Sequence, residues 1–396
     1  MKSVLRRQSL GFTALAAVAL ALSACSGAEG TSDSASVENA PRANERTDSV
    51  KSEPDVATQT PSEQETVAAP PGETPTPATL PASPPAVAGT AEESAGEPVG
   101  TSPAPTNTMR VSGNQLLDAC GEPFVVRGVE QILGNQLPQG NDWLGLLREI
   151  AATGANAVRI LPGVNTLTTE NVDEILTYIG SQGMVAFIDP LNSPDDWYAR
   201  DDVRAMLKKH ESFLIIDAYG EPQYDDVEKW RSEAKEALVR MRELGYEVPF
   251  TVYANQFGRS LPSLFDHGAE ILAADPLHNT FLGWQAYWGQ GGYYQEHYGY
   301  TLGEAVDAIV ASGLPIQMGL DHVTDLPSET ADYGALMRGA EENGIGWLWW
   351  DFYNPYGAEN NLSEDGSADN LTFTGADVLE SHPASIANTA QRACSR

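Results

Sequence analysis

Beyond residue 123 the chain alternates two kinds of pattern. Short apolar runs recur at FVVRGVE (124–130), AVRILP (157–162), MVAFIDP (184–190), FLIIDAYGE (213–221), FTVYANQ (250–256), TFLGWQAYW (280–288), PIQMGLD (315–321) and IGWLWWDF (345–352). Between them lie stretches with apolar residues three or four positions apart, such as DWLGLLREIAATG (142–154) and DDVEKWRSEAKEALVRMRELG (225–245). The second puts leucine, valine and methionine on one helical face and charges on the other. A run that is apolar at nearly every position suits a strand covered on both sides, as in a parallel sheet flanked by helices. Eight such strand–helix units in ~250 residues predict an α/β chain closed into a (β/α)8, or TIM, barrel. An open doubly wound sheet is the alternative, but it gives no reason to stop at eight. A short hairpin, VSGNQLLDACGEP (111–123), precedes the first unit.

Two segments of different character come before the barrel segment, 107–396. Residues 1–24 read as a lipoprotein signal peptide: Lys2, Arg6 and Arg7, an apolar run over 12–22, then LSAC ending at Cys25. Cys25 is the expected lipidation site; an ordinary signal peptide with a chance cysteine is the alternative. The run is shorter than the ~20 residues of a membrane span. The chain is therefore expected to be exported and lipid-anchored to the bacterial cell envelope through Cys25. Residues 25–106 are rich in Pro, Ser, Thr, Ala and Glu and poor in aromatic and large aliphatic side chains. Such a segment buries too little apolar surface to offset chain entropy, which predicts a disordered tether.

The formal net charge of −32 argues against nucleic acid as a partner. A neutral polymer would not be repelled. With Cys25 lipidated, Cys120 and Cys394 are left at the two ends of the barrel segment in an oxidising compartment. A disulfide between them is expected, with two free thiols as the alternative. No GxGxxG or GxxxxGK loop follows any apolar run, and the histidines show no HExxH spacing, so neither cofactor nor metal is expected. No serine sits in a GxSxG elbow either.

Working residues of a barrel of this kind sit at the C-terminal ends of its strands. Those ends supply Glu130, Arg159, Asp189, Glu221, Asn255, Gln285, Tyr287, Trp288, Leu320, Asp321, Trp350 and Asp351. Carboxylates and amides hydrogen-bond hydroxyl groups, and aromatic faces stack on sugar C–H faces, so the set points to a carbohydrate cleft. Strand alternation sets Trp347 and Trp349 on the opposite face from Trp350, packed under helices.

At these residues the chain resembles glycoside hydrolase family 5, the retaining cellulase and mannanase family, over nearly all of residues 111–380. GEPFVVRGVE is similar to the family's first strand, GANAVRI (154–160) to its second, ADPLHNT (274–280) to the approach to its sixth, and GIGWLWWDF to its eighth. The resemblance implies that Glu221 is the acid/base, with Gly220 where the family has asparagine. It also implies that Arg159 supports the nucleophile and that Trp350 is the platform under the sugar. Tyr287 matches the tyrosine of the strand-six His-x-Tyr pattern, whose histidine is Gln285 here. The strand-seven nucleophile, normally a glutamate after Gly319, is Leu320.

Retaining cleavage takes two carboxyl groups ~5–5.5 Å apart, and leucine supplies none. The expected molecule is a monomeric barrel that binds β-linked polysaccharide or oligosaccharide, a pseudoenzyme with lost or much reduced hydrolysis. Arg159, Asp189, Gln285, Tyr287, Trp288 and Trp350 are its candidate sugar-binding residues. The alternative is a divergent glycoside hydrolase using Glu221 with Asp321, Asp189 or Asp351 as a relocated nucleophile or base. Asp321, next to Leu320, would face the other side of the strand unless the strand end bulges.

Overall fold

A computed structural model describes residues 107–134, 142–163, 167–190, 194–220, 222–286, 302–320, 333–355 and 360–394. The expected signal peptide and tether, with Cys25, lie outside them. The two strands of the hairpin, β1 (Arg110–Ser112) and β2 (Gln115–Leu117), pair antiparallel. The eight apolar runs become β3 (Arg127–Leu133), β4 (Ala157–Pro162), β5 (Val185–Ile188), β6 (Leu214–Tyr219), β7 (Phe250–Tyr253), β8 (Thr280–Ala286), β9 (Ile316–Leu320) and β10 (Trp347–Trp349). They form one closed parallel barrel in chain order, because β10 pairs with both β9 and β3. Closure excludes the open sheet.

Strands β4, β5, β6, β8 and β10 split their side chains between two apolar clusters, and that division sets the architecture. Val158, Ile160, Ala186, Ile188, Leu214, Ile216, Trp284, Met318, Trp347 and Trp349 join a large outer cluster together with the helices. Ala157, Val185, Phe187, Ile215, Phe281 and Leu348, one position out of phase, fill the lower lumen. Trp347 and Trp349 are fully buried in the outer layer, as their phase predicts. Trp349 donates Nε1–H to the Asn360 carbonyl and meets the Tyr333 ring edge-on at 5.3 Å.

Helix Val227–Glu243 shows how the outer layer is built. It buries Trp230, Ala234, Ala237, Leu238 and Met241, a three-to-four spacing along one face. Asp226 starts it, its carboxylate accepting from the Glu228 and Lys229 amides. Thr168 and Asn171 form a reciprocal capping box at the start of helix Thr169–Ser181.

The hairpin plugs the base of the barrel. Met109, Phe124 and Val126 pack on Phe187, Phe281 and Leu348, with the Phe187 and Phe281 rings edge-to-face at 6.0 Å. The Val111 amide donates to Asn279 Oδ1. Cys120 and Cys394 are joined in a disulfide across a sequence separation of 274. Beside it, the Asp118 carboxylate accepts from the Cys120, Glu122 and Cys394 amides, tying the hairpin to the C-terminal segment.

Candidate active site

The upper lumen is charged, and Arg159 is its centre. Glu130 on β3 and Arg159 on β4 are register partners, so both point inward at one level. The Arg159 guanidinium pairs with Glu130 through Nη1, with Asp189 through Nη2 at 2.6 Å and with Asp217 through Nε at 2.6 Å. The Tyr253 ring lies against it, 4.9 Å from ring centre to the guanidinium carbon. Arg159, Glu130 and Asp217 side chains are closed to solvent, while Asp189 keeps 17% exposure. Sequence reasoning set Glu130 and Arg159 at an open rim; the lumen instead swallows both.

One cation against three buried carboxylates leaves negative charge uncompensated. Burial works to lower the Arg159 pKa, but Tyr253, Glu130, Asp217 and Asp189 together hold it well above its ordinary value. Burial pushes the Asp217 carboxyl up to about 7, against the pull of Arg159 and with Asp189 and Glu130 adding to the rise. Asp189 is raised by burial too, with Arg159 offsetting part of it. Asp351, next to Trp350, is fully buried. Neither of its carboxyl oxygens meets a hydrogen-bond partner at normal geometry. Burial raises it to about 7, Glu130 adds to the shift, and the Asn354 side chain pulls the other way.

Gln285 occupies the inward phase of β8 opposite Gly319 of β9. A Cβ at Gly319 would sit 1.6 Å from Gln285 Oε1, and one at Gly258 would sit 2.4 Å from Gln285 Cγ. Gly258, left-handed as well, has no room for a side chain, and a Cβ at Gly319 would force the Gln285 amide to move. Gly319 thus faces the lumen. Leu320, one residue on, is fully buried in the outer cluster with Met318 and Trp349. It faces the helices, which the family-based placement did not anticipate.

Strand β6 ends in a register shift between Asp217 and Tyr219. Beyond it, Gly220 lies against Asp189, its Cβ position 3.2 Å from Oδ2. Glu221, Tyr287, Trp288 and Asp321 lie outside the described residues. The segment after Glu221 is fastened by Asn255: its Oδ1 accepts from the Tyr224 amide and its Nδ2 donates to the Tyr224 carbonyl. Gln256, Phe257 and Gly258 are all left-handed (φ 59°, 58° and 82°), a turn that lets the Phe257 amide reach the Pro222 carbonyl. Among the described strand-end residues, Asp189, Tyr219, Gly220, Trp350 and Tyr353 retain partial exposure. They form the open mouth. Asp217 and Tyr253 were missed from sequence, although both fall on the inward phase of their strands. Among the described residues no group of three or more histidine, cysteine or acidic side chains is placed to hold a metal ion.

No family model matches this chain. It is 26% identical over 292 residues to mannan endo-1,4-beta-mannosidase of Salipaludibacillus agaradhaerens, covering 68% of this chain and 90% of the relative. The enzyme of that name from Streptomyces lividans is 26% identical over 282 residues, covering 65% and 69%. Among solved structures, the beta-mannanase from Thermomonospora fusca superposes with a TM-score of 0.61 at 22% identity, over 72% of this chain and 98% of that one. The mannanase catalytic domain from Streptomyces sp. SirexAA-E gives 0.62 at 20%, over 76% and 97%. The resemblance to glycoside hydrolase family 5 thus extends from short motifs to curated sequences and to the barrel of solved mannanases.

Proposed function

We propose that this chain is an exported, lipid-anchored glycosidase-type barrel that binds β-linked polysaccharide of the β-1,4-mannan class, with hydrolysis lost or much reduced. The mannan class is taken from the relatives, whose names specify it, and from a solved neighbour in complex with mannohexaose. The observation that carries the loss of hydrolysis is β9. Within its described residues it turns Gln317 and Gly319 to the lumen and brings no carboxylate there. Among the described residues the inward acids Glu130, Asp189 and Asp217 are engaged by Arg159, and Asp351 is fully buried. A carboxylate locked to a buried guanidinium is a poor nucleophile, since attack would strip the cation of its partner.

The test is turnover on mannan, glucan and xylan, comparing wild type with Glu221→Gln. Binding to mannan without product release supports the proposal. Release of sugar that depends on Glu221 contradicts it.

A second reading, a divergent hydrolase, is favoured by the outward direction of Leu320. With Leu320 in the helix layer, the missing carboxylate at 320 no longer decides the matter, and Asp321, the next residue in sequence, is the acid this reading turns to. This reading supposes Glu221 as acid/base and Asp321 as nucleophile. Asp321→Asn and Glu221→Gln should then each lower the rate by several powers of ten, which binding alone cannot produce.

A further inference from the structure

Position 220, at the open mouth, carries glycine where the resemblance expects asparagine. Tyr219 before it turns to the helix layer, its hydroxyl donating to Glu233 of helix Val227–Glu243 at 3.1 Å. Gly220 turns the other way. The three atoms nearest to a Cβ placed on it are Oδ2, Oδ1 and Cγ of Asp189, at 3.2, 3.5 and 3.6 Å. Any side chain at 220 would therefore stand on the Asp189 carboxyl group. The backbone does not ask for glycine here, because Gly220 lies outside the left-handed region that favours it. What the missing side chain does is leave Asp189 uncovered, at 17% exposure.

Of the three acids paired with Arg159, Asp189 is the one that meets solvent. The pairing occupies its Oδ2, and a carboxylate with one oxygen so engaged still accepts through the other. An ionised carboxylate accepts and does not donate, so it selects a donor such as a sugar hydroxyl. The charge around it sharpens the choice. Arg159 is closed to solvent and outnumbered by its three acids. The other described mouth residues, Tyr219, Gly220, Trp350 and Tyr353, carry no positive charge. A sugar unit with its own carboxylate would meet like charge here with nothing to offset it.

We propose that Asp189, uncovered by Gly220, is the specificity-determining residue of the cleft: it accepts from a hydroxyl of an uncharged sugar unit and turns away uronic acid units. This role rests on the mouth being a glycan cleft, and it names the residue that keeps the ligand neutral. An asparagine at 220 would lay an amide over the carboxylate and take the contact itself. Glycine hands that contact to Asp189 and replaces a group that donates and accepts by one that only accepts.

The test titrates the full chain with mannohexaose and with the β-1,4-linked hexamer of mannuronic acid, followed by calorimetry at ~0.15 M salt. At that strength the screening length is about 8 Å, so the net charge of the whole chain counts for little. Gly220→Ala covers the carboxylate and changes no charge. Asp189→Asn removes the charge at constant size, and Arg159 keeps Glu130 and Asp217 as partners. Wild type should bind mannohexaose about tenfold or more tighter than the mannuronate hexamer. Gly220→Ala should weaken mannohexaose about tenfold, and Asp189→Asn should bring the two ligands within about threefold of each other. That ratio is a readout that a general loosening of the fold does not move. Mannohexaose bound equally by wild type and Gly220→Ala overturns the role of Asp189. So does a preference for mannohexaose that survives Asp189→Asn, or a wild type that takes both hexamers alike. Those outcomes leave the cleft reading intact, whereas a wild type that binds neither hexamer sinks both.

Discussion

Arg159 holds three carboxylates in a space closed to water, and its removal should be felt as charge rather than as lost volume. Arg159→Met keeps most of the side-chain bulk but leaves Glu130 and Asp217 buried without their cation. The expected cost at neutral pH is about 3–5 kcal/mol by urea unfolding, shrinking toward pH 4 as the acids take up protons. Asp351 gives a second residue-level prediction. Its folded pKa of about 7 stands above the ordinary 3.8, so between those values the folded chain holds a proton that the unfolded chain releases. The stabilising contribution is complete below about pH 4 and is lost as pH rises through 7, at up to ~1.4 kcal/mol per pH unit for one group. Asp217 adds a contribution of the same sign. Asp351→Asn should flatten the pH dependence of unfolding by one group's share; an unchanged slope would show that Asp351 does not carry that proton. Arg159, Asp189 and Gln285 were legible in sequence because polar residues in apolar runs stand out. Asp217 was passed over inside FLIIDAYGE, where its shared inward phase with Ile215 was the available signal.

At the scale of elements, β9 separates what pattern can show from what it cannot. Its existence and bounds were readable from PIQMGLD. Its phase was not, because a strand apolar on both sides carries no alternation to orient it. Direction became clear only from its neighbours: Gly319 against Gln285, and Leu320 among Met318 and Trp349. This bears on the simplest repair experiment. Leu320→Glu would bury a carboxylate in the barrel–helix layer, so it should destabilise the fold by several kcal/mol and restore no hydrolysis. Leu320→Ala should cost about 2–5 kcal/mol from the cavity alone. A stable Leu320→Glu protein that cleaves mannan would mean that position 320 serves the lumen after all. The two outer tryptophans of β10 were read correctly for the opposite reason, since only one phase of WLWW could be turned under the helices.

The described part of the chain is a barrel whose first and last segments are sewn together at the base by Cys120 and Cys394. The Cys120–Cys394 bridge closes a loop of sequence separation 274 and shares Asp118 with the backbone on both sides. Cys120→Ser with Cys394→Ser should lower stability by about 2–5 kcal/mol in thermal or urea unfolding while leaving oligosaccharide affinity unchanged, because the bridge lies at the end away from the cleft. The closed barrel was legible in sequence as eight units, but the charged lumen was not, since strands apolar on both sides do not reveal that Glu130, Arg159 and Asp217 share an inward phase. The proposed binding of a β-1,4-mannan chain is tested most directly by a calorimetric titration of the full-length protein with mannohexaose. The account predicts a saturable binding heat after which the signal returns to baseline at every injection. A sustained heat of turnover that Glu221→Gln abolishes, or no binding heat at all, would contradict it.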